Sequence, residues 1–419
     1  MLNIPASFKN NNEDYITLPA IINFMKKHKI KGTSRGTREE LLDKIIEYGN
    51  NNDTNANYVI EWIDYVIQEG IKDVYLKFAI LSDDIELITK DETKLNSYLK
   101  NFIAKDFSAH ICSNKYGSEF ELINAYVENS KMGRKIIFIY CKNLYVYNNS
   151  KDKSIVKKVI YPVIAEYYID SQWLLVKAKP KSNLYNWSEE KFDIEKTVST
   201  TTEKQIFEVI ELVEKILHIN RGDRDTNSNN LKNRIFKLLK KYTTTPKEIV
   251  DIMSNENEQI LNISTLICNI CSVSDKCQLP IGAEKDIDND IRNIIEKYLS
   301  INWNEKEIFI EDREAYPIKI SATDEEESKV EQTAALFEPL QTKALFFDNK
   351  KMLYKNESCD GITFKWKRIN CNYGQRDKFA VKIFVNQKGM CIFKFNEYTE
   401  KEDIENVIFS IIGTSEHAC

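Results

Sequence analysis

Twelve glycines and eight prolines are all that punctuate 419 residues, well under the usual shares of roughly 7% and 5%. A chain so poor in flexible and breaking positions has little material for glycine-rich phosphate loops or long disordered linkers. It must fold mostly as regular helices and strands joined by polar turns. At this length one ordinary core is not enough, and two or three domains of about 100–200 residues each are expected. An apolar share of 42%, with 21 Tyr and 20 Phe, suffices to fill them.

Periodicity divides the chain. Residues 1–50 form a small module of two short helices, Leu18 to His28 and a second capped by Thr37, with Glu40 three positions on. The polar, breaker-rich run 51–57 predicts a linker. An α+β domain is expected over 58–200, opening with a helix from Tyr58 to Gln68. Within it, Lys135–Tyr140 and Leu144–Tyr147 flank Cys141-Lys142-Asn143 as a hairpin. Val159–Ile169 and Gln172–Ala178 flank Asp170-Ser171 as another. Pro162 fits best at an edge or a bulge.

Residues 201–300 predict a helical segment. Ile206, Ile210, Val213 and Leu217, and again Leu231, Ile235, Leu238 and Tyr242, recur at 4-3-4 spacing. That is an αα-hairpin whose stripe serves as core or as the seam of a homodimer. Thr245-Pro246 opens a further short helix, compatible with a helix-turn-helix element. Residues 301–419 predict a β-rich domain with strands at Lys343–Phe347, Met352–Lys355, Ile362–Arg368, Ala380–Val385 and Met390–Phe395. A helix capped by Thr399 and running through Ile412 closes it. An echo between 136–149 and 343–356 suggests related β-rich halves. The expected class is multi-domain α+β, with antiparallel β-rich regions flanking the helical segment.

Net charge is −5, so the overall field favours no polyanion, but the basic residues are grouped. Lys26 to Arg38 holds six Lys/Arg and no acid, and Lys131 to Lys181 holds eleven against three. Arg221 to Lys247 and Lys350 to Lys394 are similarly biased. The opening stretch lacks the apolar core of a secretory leader. No apolar run approaches the ~20 residues of a membrane span. Nine cysteines without regular spacing read as free thiols. A cytoplasmic protein, or a nuclear one if the source is eukaryotic, without membrane contact is expected.

Residues 18–48, LPAIINFMKKHKIKGTSRGTREELLDKIIEY, resemble the SAP motif, a helix–extended loop–helix module. The resemblance rests on Ile22, Phe24 and Met25, on Gly32-Thr33, and on Arg38, Glu40, Leu41, Leu42 and Ile45. It implies binding of double-stranded DNA. Lys26, Lys27, Lys29, Lys31, Arg35 and Arg38 would contact phosphates, which fixes position without reading bases. A solvated basic face or a protein-docking module is the alternative. The hairpins at 134–185 offer a second nucleic-acid surface: Arg134, Lys135, Lys177, Lys179 and Lys181 for charge, with Tyr145, Tyr147, Trp173 and Tyr185 as stacking planes or as core.

Other chemistry is sparse. Cys268, Cys271 and Cys277 could share a metal but find no fourth ligand nearby, so no metal or cofactor is expected. Four histidines leave little for a nucleophilic triad. A metal-dependent nuclease would need convergent carboxylates, for which Asp83, Asp84, Glu92 and Lys94, or Asp170, Glu189 and Lys191, are the available sets. The expectation is therefore non-enzymatic, sequence-tolerant DNA binding. A protein-interaction scaffold without nucleic-acid contact is the first alternative and a defence nuclease the second.

Overall fold

The computed structural model describes residues 4, 8, 15–32, 36–103, 110–113, 115–150, 153–190, 192–220, 223–272, 279–323, 329–335, 338–371 and 375–413. Among them are twelve helices and twelve strands, so the α+β class holds. The N-terminal elements are α1 (Leu18–Lys27), α2 (Arg38–Asn50), α3 (Asp53–Val66), β1 (Lys72–Phe78), α4 (Asp83–Thr89) and α5 (Glu92–Lys100). Strands β2 (Glu121–Ser130), β3 (Gly133–Ser150), β4 (Lys153–Tyr168), β5 (Trp173–Ala178), β6 (Leu184–Asn186) and β7 (Ser199–Thr200) follow. Next come α6 (Thr202–Ile216), α7 (Arg224–Tyr242), α8 (Lys247–Asn255), α9 (Asn257–Ser272) and α10 (Ala283–Asn302). The chain continues with β8 (Ala315–Thr323), β9 (Lys329–Thr333), α11 (Ala344–Asn356), β10 (Gly361–Lys367), β11 (Lys378–Val385), β12 (Cys391–Phe395) and α12 (Lys401–Ile412).

These elements divide into two units. The first is Met1–Leu231 with Arg368–Val381 and Val385–Gly413, and the second contains Lys232–Lys367 and Lys382–Phe384. The expected boundaries at 51–57, 200 and 300 are therefore replaced by one inside α7 and a return after β10.

In the first unit the strand order is β7-β6-β3-β4-β5-β1-β12, with β2 beside β3. The pairs are antiparallel. The 18-residue β3 pairs with β4 without a break from Lys135↔Tyr168 to Ser150↔Lys153. Cys141-Lys142-Asn143 is therefore mid-strand and not a turn. Its polar residues stay extended because each finds a partner. Lys142 Nζ donates to Glu208 at 2.7 Å and lies 4.2 Å from the Phe120 ring centroid, and the Asn143 amide donates to the Tyr116 carbonyl. The hairpin at Asp170-Ser171 forms as expected between β4 and β5. Pro162 lies one residue past the end of that ladder at Val163↔Ala178, where a missing donor is best tolerated.

The N-terminal helices are built into this unit. Ile21, Phe24, Met25, Leu41 and Ile45 share one buried cluster with Val59 and Ile63 of α3 and with Ile137, Ile139 and Ile164 of the sheet. Residues 51–57 are not a linker. The Asn52 side chain accepts the Asn55 N–H at 2.8 Å and caps α3, so its Asn/Asp-rich stretch is a helix start. The stripes at 206–217 and 231–242 are buried within the chain. The first lies with α6 on β4 and β5. Neither stripe is left to form the expected homodimer seam.

The second unit carries β10-β8-β9 and helices α8 to α11. Tyr242, Phe364 and Trp366 form an aromatic nucleus with centroid separations of 5.4–5.9 Å. Lys343–Phe347 and Met352–Lys355, expected as strands, lie in or beside α11. Phe346, Phe347 and Leu353 are its buried residues, a seven-residue repeat that only a helix puts on one face. With one segment strand and the other helix, the echo between 136–149 and 343–356 disappears. The remaining strand expectations match β10, β11 and β12. Helix α12 also forms, but Glu400 holds its N-cap position in place of Thr399 and makes no side-chain capping bond to the helix. No helix among the described residues is long and apolar enough to cross a membrane.

Candidate functional site

The basic segment begins on the last turn of α1, where Lys26 and Lys27 are exposed. The helix then closes with paired bonds, Lys29 N–H to the Lys26 carbonyl at 3.2 Å and Ile30 N–H to the Met25 carbonyl at 2.8 Å. This is a Schellman motif. Ile30 packs against the buried cluster. Lys29 takes the left-handed position, φ 55°, where glycine is the commoner choice. Gly32, at φ 95°, turns the chain again. Ile30 anchors the loop while Lys29 and Lys31, on either side of it, are exposed.

Helix α2 starts on the expected capping box, with Thr37 Oγ1 accepting the Glu40 N–H at 3.3 Å and Glu40 accepting the Thr37 N–H at 2.8 Å. Arg38 faces inward. Its guanidinium donates to the Ile16 carbonyl at 2.8 and 3.0 Å and to the Phe8 carbonyl at 3.4 Å. It ties the segment before α1 to α2, and so is not placed to grip a phosphate. Arg35 lies outside the described residues. Four of the six basic residues, Lys26, Lys27, Lys29 and Lys31, are therefore gathered on one exposed turn.

The second surface expected from the sequence is mostly interior. Lys135 is fully buried and donates to Glu166 at 3.0 Å and Glu405 at 2.9 Å. Lys177 is also buried and donates to the other Glu166 oxygen, and Tyr168 Oη donates to Glu166 at 2.9 Å. Burial opposes the Glu166 charge, but Lys177 and Lys135 together hold its carboxyl well below the usual carboxylate range. Lys179 is buried beside Tyr15, its ammonium 5.1 Å from the ring centroid, with Lys181 at 5.4 Å and Lys72 at 5.7 Å. Burial first, and Lys179 second, push the Lys72 ammonium well down. Arg134 is half-buried, and its backbone N–H donates to Asp170 at 3.2 Å. Trp173 is buried, while Tyr147 and Tyr185 pack on Phe192. Lys135, Lys177, Lys179 and Trp173 are thus built into the interior, while Arg134, Lys181, Tyr147 and Tyr185 are partly covered.

Asp83, Asp84 and Glu92 do not form a group that could hold a metal. Asp83 and Asp84 lie on α4 and Glu92 and Lys94 on α5. Asp84 pairs with His218 at 3.3 Å, and Lys94 with Asp91 at 3.6 Å. Asp170 is in a turn, and Lys191 lies outside the described residues. Cys268 and Cys271 are free thiols on α9, and Cys277 lies outside the described residues. No group of three or more His, Cys, Asp or Glu that could hold a metal occurs among the described residues.

Sequence reasoning missed the exposure of α9, which falls within the expected helical segment. Leu261, Ile263, Leu266 and Ile270 are all exposed, the last two at 59% and 64%, while only Ile260 and Ser264 are buried. An apolar helix normally buries its apolar stripe. The signal was the run LNISTLICNIC itself, an apolar stretch without a single charged residue. The buried glutamate was legible too, as a lone acid within the apolar run 159–169.

Compared with protein families, with curated proteins and with solved structures, the chain matches none.

Proposed function

We propose that this chain is a non-enzymatic binding protein that holds the sugar-phosphate backbone of double-stranded DNA through Lys26, Lys27, Lys29 and Lys31. The exposure of these four lysines on one anchored turn is the observation that carries the reading. Compact ammonium groups on flexible stems suit phosphate contact, and among the described residues of the turn no rigid donor array for base edges accompanies them. Binding is then tolerant of sequence and sensitive to salt. Neutralising four phosphates gives a log–log salt slope of about −3.6, hence a roughly 10²-fold loss of affinity from 50 to 200 mM salt. Fluorescence anisotropy on a labelled duplex measures this. Lys29→Gly should flatten the slope by about one unit and leave stability unchanged or raised by up to about 1 kcal/mol, because glycine suits the left-handed position. No binding at 50 mM salt eliminates the proposal.

A second reading, a self-associating scaffold, is favoured by α9. The helix carries one charged residue, Glu258, across Asn257–Ser272. It offers a polyanion nothing, whereas an identical helix can pack on it with little like-charge repulsion. Light scattering coupled to size exclusion should report a dimer that Leu266→Glu with Ile270→Glu converts to monomer. A wild-type monomer at 50 μM removes this reading.

A further inference from the structure

Helices α1 and α3 and the segment 398–402 line a cleft of about 700 Å³ within the first unit. One wall is aromatic. The Trp62 and Phe24 centroids are 4.6 Å apart, Phe24 and His28 4.3 Å, and His28 and Tyr58 5.1 Å. The rings run as one connected surface along the cleft. Tyr58 and Tyr65 remain 43% and 37% exposed, so part of this surface is open to solvent.

The rest of the lining is acidic. Glu402 accepts the Tyr65 hydroxyl at 2.9 Å, and Glu69 accepts the Tyr398 hydroxyl. Each hydroxyl holds its carboxylate against an aromatic ring. Glu400 is nearly buried, and Glu61 is exposed on α3. Against these four carboxylates the lining supplies one basic residue, Lys27. The ammonium of Lys401 already lies 5.8 Å from the Tyr65 ring centroid while pairing with Glu128 at 3.5 Å, so a cation near this ring is compatible with the fold.

Aromatic faces attract cations through the ring quadrupole, and adjacent carboxylates add charge complementarity. The same lining repels phosphate and carboxylate ligands. We propose that this cleft is a binding site for lysine or arginine side chains of a basic peptide segment. Glu69, Glu400 and Glu402 gather near Tyr65, while the aromatic wall extends through Trp62, Phe24, His28 and Tyr58. A wall of that length suits an extended chain carrying more than one cation better than a single small ion. The site borders the lysine turn and shares Lys27 with it, but does not depend on its phosphate-binding role, because the two select ligands of opposite charge.

The test is anisotropy of a fluorescein-labelled decapeptide carrying four lysines, titrated with the full chain at 50 mM salt. A peptide with the four lysines acetylated and free spermidine as competitor are the controls. Tyr58→Ala with Glu61→Gln alters two exposed residues, and unchanged thermal unfolding certifies the fold. The expected result is binding that weakens at least tenfold for this variant and is lost on acetylation. Two results overturn the proposal: equal affinity for wild type and variant, or spermidine displacing the peptide as well as unlabelled peptide does.

Discussion

Glu166→Ala should destabilise the first unit by about 3–5 kcal/mol, the largest effect expected of any single charge removal in this protein. The carboxylate receives the ammonium groups of Lys135 and Lys177 and the hydroxyl of Tyr168. All four side chains are essentially removed from water. Removing the acid leaves Lys177 without the carboxylate it donates to and leaves Lys135 with Glu405 alone. The cost is that of isolated buried charge, not of one lost hydrogen bond. The ion network itself need not be stabilising. Replacing Lys135, Glu166 and Lys177 together by Met, Leu and Met should return most of the loss, because an apolar cluster of similar volume has no charge to desolvate. Urea unfolding of the wild type and both variants measures the two effects. A single variant within 1 kcal/mol of wild type would refute the role given to Glu166, as would a triple variant no better than the single.

The second large effect is a pH dependence centred on Glu69. Burial raises its carboxyl from 4.5 to about 7, with Glu400 and Glu402 adding to the rise and the Tyr398 hydroxyl opposing it. Tyr65 and Lys401 stand beside the same carboxylates, and Lys72 also feels its charge. The sign follows from the raised value. Below pH 4.5 the group is protonated folded and unfolded, and contributes nothing. As pH rises from 4.5 to 7 the unfolded chain ionises first and the fold loses stability. Above pH 7 the full loss, roughly 3 kcal/mol, is present. Glu69→Gln removes the titration. Its stability should therefore overtake that of the wild type between pH 5 and pH 8, measured as urea midpoints at each pH. Parallel profiles for the two proteins would contradict the assignment.

Much of the fold was legible where one physical signal acted alone. The Thr37–Glu40 capping box, the β4–β5 hairpin and the strands at 362–368, 380–385 and 390–395 rest on local patterns, and local bonding realises them. Misreadings arose where distant partners decide. Lys142-Asn143 looks like a turn until Glu208 and Tyr116 satisfy it. The Asn run at 51–57 looks like a linker until Asn52 is seen to cap a helix. Phe346, Phe347 and Leu353 fit strand or helix until a core selects the seven-residue repeat. For the candidate site, the lysines of 26–31 were readable because a run of cations without apolar neighbours on both sides stays at the surface. Arg38 was not, since its acceptors are carbonyls that sequence does not mark. Lys135 and Lys177 sat in apolar runs, a warning that they pair inside.

The pairing of β1 with β12, Lys72↔Phe395 through Leu76↔Cys391, sets an order on biosynthesis. Some 300 residues separate these strands in the chain, and translation at about 5–20 residues per second delays the second by roughly 15–60 s. All of Lys232–Lys367 emerges from the ribosome before β12 does. Until then β1 presents a bare edge to solvent. A nascent chain stalled before Cys391 is thus a natural client for chaperones.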